Sequence, residues 1–126
     1  MAIKLQTRLA VAASIAMMMT YTCVDAQEIP LVTGKQWTDS AEQVKKAYLV
    51  GIANLVQVEI AYQADNTSAD SQTIIPRLAR GLKGQTLDTV REGLDRWYVA
   101  HPDQLRRPVI ETIWFEMVLP GLQKNR

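Results

Sequence analysis

Apolar residues recur along this chain at helical spacing, broken by polar stretches that carry Gly or Pro. The longest apolar run is residues 48–62, YLVGIANLVQVEIAY. At about 100° per residue, Val44, Tyr48, Gly51, Leu55, Val58 and Tyr62 fall on one line, and Leu49, Ile52, Val56 and Ile60 widen it past half the circumference. Gln43, Lys46, Asn54 and Gln57 form a narrow polar seam. A helix apolar over most of its surface is buried on several sides. The pattern therefore predicts a central helix over about 40–63 with other helices wrapped around it. Gly51, on the central line, is expected at a close helix–helix contact.

The other elements follow from punctuation. Residues 27–36 read as an extended arm, because Pro30 and Gly34 oppose helix, and Trp37 behind them reads as a packing anchor. Asp39 or Ser40 is positioned to cap the first helix. Residues 64–73 are polar and predict a loop. A short helix follows, with Ile75, Leu78 and Leu82 on one face, ended by Gly81 and Gly84. Thr86 caps a helix to about Ala100 whose stripe is Leu87, Val90, Leu94, Trp97 and Tyr98, and His101-Pro102 stops it. Pro108 opens the last helix. Its inner line is Ile110, Ile113, Trp114 and Met117, Val109 points elsewhere, and Pro120-Gly121 ends it. The expected fold is all-α, a small bundle of about four to five helices.

Composition sets the compartment and removes several functions. Lys4 and Arg8, the short apolar stretch 9–19 and Val24-Asp25-Ala26 form a secretory signal cleaved after Ala26. The stretch is too short to anchor the chain in a bilayer. What remains, 27–126, is a single domain expected in the periplasm or outside the cell. Cys23, the one cysteine of the 126 residues, leaves with the signal, so the mature domain is expected to be disulfide-free. Taking Lys4 and Arg8 from 14 basic residues, and Asp25 from 13 acidic ones, leaves 12 of each. A chain without basic excess is not built for nucleic acid.

Candidate chemistry is sparse. Glu59 has Ile52, Leu55, Val56 and Tyr62 as same-face neighbours. Two readings stand: a structural ion pair with Arg77, Arg80 or Arg96, or a buried acid in a site. Asp65 and Asp70 lack the spacing of a calcium loop, and Asn66-Thr67-Ser68 is a glycosylation sequon. His101, the single histidine, has neither a nucleophile motif nor a metal-ligand set around it. No catalytic residue, cofactor or metal is expected, and the chain does not read as an enzyme.

One set of motifs is recognisable. Thr86-Leu87-x-x-Val90, Trp97-Tyr98-x-x-His101-Pro102-Asp103-Gln104, Arg107-Pro108 and the helix to Pro120 resemble the C-terminal half of the Rap1a/Tai family. Residues 47–51, with Tyr48 and Gly51, are similar to that family's Tyr-x-x-Gly on a long first helix. Its best-known members are exported helical immunity proteins that block peptidoglycan amidase effectors of the type VI secretion system. The resemblance implies an inhibitor of such an effector. A periplasmic chaperone or structural adaptor of the same fold is the alternative. Thr112, Phe115 and Leu119, on the far side of the last helix, are the expected contact with a target or with a second copy of the chain, unless Ile29, Leu31 and Val32 of the arm cover them.

Overall fold

The helix that ends at Gly81 and the last helical segment of the chain pass each other closely at two glycines, Gly81 and Gly121. The structure, a computed structural model, describes residues 30–65 and 73–124. The expected signal peptide with its cleavage site, Cys23, Ile29, Asp70 and the sequon lie outside the described residues. The elements are α1 (Gly34–Asp39), α2 (Glu42–Asp65), α3 (Ile74–Gly81), α4 (Leu87–Ala100), a 3-10 turn (Pro102–Gln104), α5 (Val109–Ile113), a π-helical turn (Trp114–Val118) and α6 (Leu119–Lys124). The fold is an all-α bundle, with no strand among the described residues.

The sequence punctuates α4 as expected. The Thr86 hydroxyl accepts from the Thr89 N–H at 3.1 Å, and the Thr86 N–H donates to the Thr89 hydroxyl at 2.8 Å. This reciprocal cap satisfies two groups that a helix start otherwise leaves open. At the far end the His101 ring stacks on Trp97 at 4.3 Å, with its Nδ1 2.8 Å from the Trp97 carbonyl. Val90, Leu94 and Tyr98 are buried.

The core lies between α4, the last helix and α1. Leu94, Tyr98, Val109, Ile113 and Val118 are essentially inaccessible, and Trp37 closes the side. The arm is held by its backbone: Val109 N–H donates to Val32 O at 2.8 Å, Gly34 N–H to Arg107 O at 3.0 Å, and Thr33 bridges Pro108. Pro108 stands just before α5 rather than inside it.

Several expectations change here. Residues 34–36 are helical, not extended, because Thr33 and Gln36 form a capping box that starts α1 early. The cap expected of Asp39 or Ser40 is that of the long helix; α2 begins at Glu42 with Ala41 before it, so Asp39 ends α1 and Ser40 follows it as its C-cap instead. Val109 and Val118 are fully buried although the inner line omitted them. The arm covers Val109. The π turn rotates the later residues relative to a regular helix, so that Val118 also faces inward.

Pro120 and Gly121 do not end the last helix, which runs on to Lys124. Leu119 N–H bonds back to Trp114 O, five residues earlier. That wider turn immediately precedes Pro120, where a regular turn would set its ring against a carbonyl. Gly121 then passes so close to Gly81 that a Cβ there would collide with the Gly81 carbonyl, and a Cβ on Gly81 would lie 2.5 Å from Val118 O.

The long helix forms where the pattern placed it, but it is not the buried centre. It packs on α3 and α4, and among its 24 residues only Leu49 is buried. A Cβ added to Gly51 would meet nothing within 4 Å, so Gly51 is not a contact within the monomer.

Candidate functional site

Helices α2 and α3 diverge beside the last one and leave an apolar groove. Ile52 and Leu55 of α2, Ile74 and Ile75 of α3, and Ile110, Trp114 and Phe115 of the last helix line about 360 Å³ of open space. Glu111 is its single charged lining residue. The Arg77 guanidinium lies 5.1 Å from the Trp114 ring centre, so its charge caps the face of a groove-lining aromatic. On the other side of Ile52 a second space of about 340 Å³ separates α2 from Leu82, Leu87 and Val90. The C-terminal half of α2 is therefore lightly packed on both flanks.

Phe115 forms the rim and is 51% exposed. Arg107 holds its inner edge: the guanidinium is 5.4 Å from the Phe115 ring and 4.9 Å from the Trp97 ring, while Nη1 donates to Glu116 at 2.9 Å. The side chain is thus presented by a planar cation and a neighbouring ion pair, and the described residues of the arm do not cover it. Leu31 is itself exposed.

The three residues expected to make the contact separate. Phe115 is at the surface, Leu119 is half-buried, and Thr112 is fully buried. Thr112 belongs to a polar core contact: its hydroxyl lies 2.9 Å from the Tyr98 hydroxyl, which donates to Arg107 O at 3.0 Å. The Thr112 hydroxyl also donates to Pro108 O at 3.3 Å, so the two hydroxyls and two backbone carbonyls form one buried network. A buried hydroxyl with these partners is not available to a target. Burial pushes the Tyr98 phenol above its ordinary value, and the Thr112 bond works against that shift.

The motif residues hold structure. Tyr48 is half-buried with its ring edge-on to Trp37 at 6.2 Å, and burial raises its phenol as well. Trp97 meets Tyr98 edge-on at 5.1 Å, and Pro102 opens the 3-10 turn. Glu59 accepts a hydrogen bond from Gln63 at 2.9 Å, and no ion pair among the described residues joins it to Arg77, Arg80 or Arg96. It stands in an apolar setting because α2 is open there, which removes the need for a buried counter-charge. Gly51 lies in the open outward face of α2.

Sequence reasoning missed the hub that ties α1, α2 and α4 together. Asp95 Oδ1 accepts from Trp37 Nε1 and from Lys45 Nζ, both at 2.8 Å, and Oδ2 accepts from Arg91 at 3.3 Å. Arg91 has Glu42, Asp88 and Glu92 within 3.5 to 3.8 Å as well. The available signal was an aspartate one turn beyond an arginine on α4, which fixes that pair but not the residues reaching it from elsewhere.

Among the described residues no group of three or more His, Cys, Asp or Glu side chains is placed to hold a metal ion, and no helix is long and apolar enough to cross a membrane. No protein-family model, curated protein or solved structure matches the chain. The likeness to the Rap1a/Tai family rests on the motif residues alone.

Proposed function

We propose that this chain is an exported protein-binding module that acts as an immunity-type inhibitor of a cell-wall amidase, and that the groove beside Phe115 receives the target. The observation that carries the reading is the groove itself. It is apolar and open, and its rim aromatic is held in place by Arg107 while half of its surface stays free. Exposed apolar patches on small proteins mark contact sites, and aromatic residues are favoured anchors in them. The target class comes from the motif resemblance, and export from the charged and apolar N-terminal stretch. A bundle of this kind can serve other ends, since fold alone does not fix function. A groove with so little polar lining also suits a chaperone or adaptor, which tolerates many apolar segments.

The separating experiment is inhibition. An amidase captured from periplasmic extract is assayed on purified peptidoglycan with the parent chain and with Phe115→Glu. Inhibition by the parent alone is expected.

A further inference from the structure

A second pocket, of about 340 Å³, opens between α2 and the start of α4, across Ile52 from the groove beside Phe115. Its floor is the core itself, where Leu49, Val90 and Ile113 are at most 6% exposed. Its walls are apolar on both sides, with Ile52, Val56 and Ile60 on α2 and Leu82 and Leu87 opposite. Ile60 and Leu87 keep 48% and 40% of their surface free, so the walls do not close on each other.

The opening is built into the frame. Lys45 and Lys46 pin the start of α2 to Asp95 and Asp88 of α4. On the other wall the chain turns at Gly84, whose φ is +84°, a conformation that glycine adopts at no steric cost. Gln85 N–H donates to Leu82 O at 2.9 Å across that turn, and Thr86 then starts α4 with its reciprocal cap. Each wall is fixed by its own bonds, as in the preformed pockets that take small ligands.

The lining chemistry selects the occupant. No Asp, Glu, Lys, Arg or His lines the pocket. Its polar lining residues are Gln57, Gln85 and Thr86, and Thr86 is used by the cap. The Gln85 oxygen accepts from the Thr89 hydroxyl at 3.0 Å, which leaves its NH2 to donate. Among the described residues no hydrogen bond reaches the Gln57 amide. Both glutamines are exposed and stand at the solvent edge of the pocket. We propose that this pocket binds the acyl chain of a neutral single-chain amphiphile, whose ester or amide carbonyl accepts hydrogen bonds from Gln57 and Gln85. A water-sized group occupies roughly 30 Å³ of liquid, so the space takes one chain of about ten carbons. A two-chain lipid is too large for it, and a carboxylate head would find no cation. The pocket and the Phe115 groove lie on opposite sides of Ile52, so this inference does not depend on the function proposed above.

Titration calorimetry of the full chain with monodecanoylglycerol, below its micelle concentration, tests it. Binding in the micromolar range is expected. Decanoate, an anion near pH 8, should bind about tenfold or more weakly, because its charge is buried without a partner. Ala53→Phe sets a ring into the pocket from α2 and should abolish binding with helical circular dichroism intact. Gln57→Leu with Gln85→Leu changes only the exposed edge and should weaken binding by about tenfold, the effect of a lost hydrogen bond. That pair decides the matter if Ala53→Phe fails to fold. Phe115→Glu should leave binding unchanged. A parent chain that binds no monodecanoylglycerol would overturn the proposal, as would decanoate binding as tightly as the ester. So would binding that the glutamine pair or a folded Ala53→Phe leaves unaltered. Loss of binding in Phe115→Glu would overturn it too, by placing the chain in the other groove.

Discussion

Asp95 does more for this fold than any residue its sequence pattern singles out. It is only partly covered, yet it is the acceptor for a buried indole and the partner of two cations from different elements. Asp95→Ala leaves the Trp37 N–H without its acceptor, in a side chain that is 2% exposed. The expected cost is about 1–3 kcal/mol, measured by urea unfolding. Asp95→Asn keeps an oxygen for the indole and should cost less. Equal losses from the two changes would mean that the charge pairs, rather than the indole bond, carry the effect. Trp37 was recognisable in sequence as an anchor, because a large aromatic beside a helix start has few other uses. Its acceptor was not, since it is 58 residues away and no local spacing encodes it.

At the scale of elements, the boundaries of α2 and α4 were legible because both rest on local signals, a long apolar period and a Thr86 cap. The course of the last helix was not. Pro120-Gly121 is an ordinary stop signal, and only the π turn before it lets the helix continue. The role of each glycine was equally hidden. Gly51 lies on an apolar line and reads as a contact, but a periodic pattern reports which face is apolar and not what covers it. The tight crossing is at Gly81 and Gly121, in two short helices where each glycine reads as a stop signal rather than a contact. Gly121→Ala should lower the melting temperature sharply, since the new methyl must displace backbone. Gly51→Ala should raise stability by about 1 kcal/mol through helix propensity alone, read by thermal melting, because the new methyl meets nothing within 4 Å. A loss at Gly51 or indifference at Gly121 would reverse the assignment of close contacts.

For the molecule as a whole, the groups with shifted ionisation point to one pH window. Tyr48 and Tyr98 are raised above 10.0 mainly by burial, and Lys46 above 10.5 by its bonds to Glu42 and Asp88. In each case the folded chain holds a proton that the unfolded chain releases first. Their contribution is complete below about pH 10 and is lost as pH rises through the folded values. Melting temperature should be flat from pH 8 to near 10 on their account and fall beyond it; a rise there would contradict the assignment. The all-α architecture was legible in the sequence, whereas the groove was not, because it is the space left where α2, α3 and the last helix diverge. The central claim is that this space is where a target protein sits, and titration calorimetry of the captured amidase against the parent chain and Phe115→Glu tests it most directly. The account predicts tight binding by the parent and a loss of about a hundredfold or more in the variant, with unchanged circular dichroism. Equal affinity of the two chains for the amidase would contradict it.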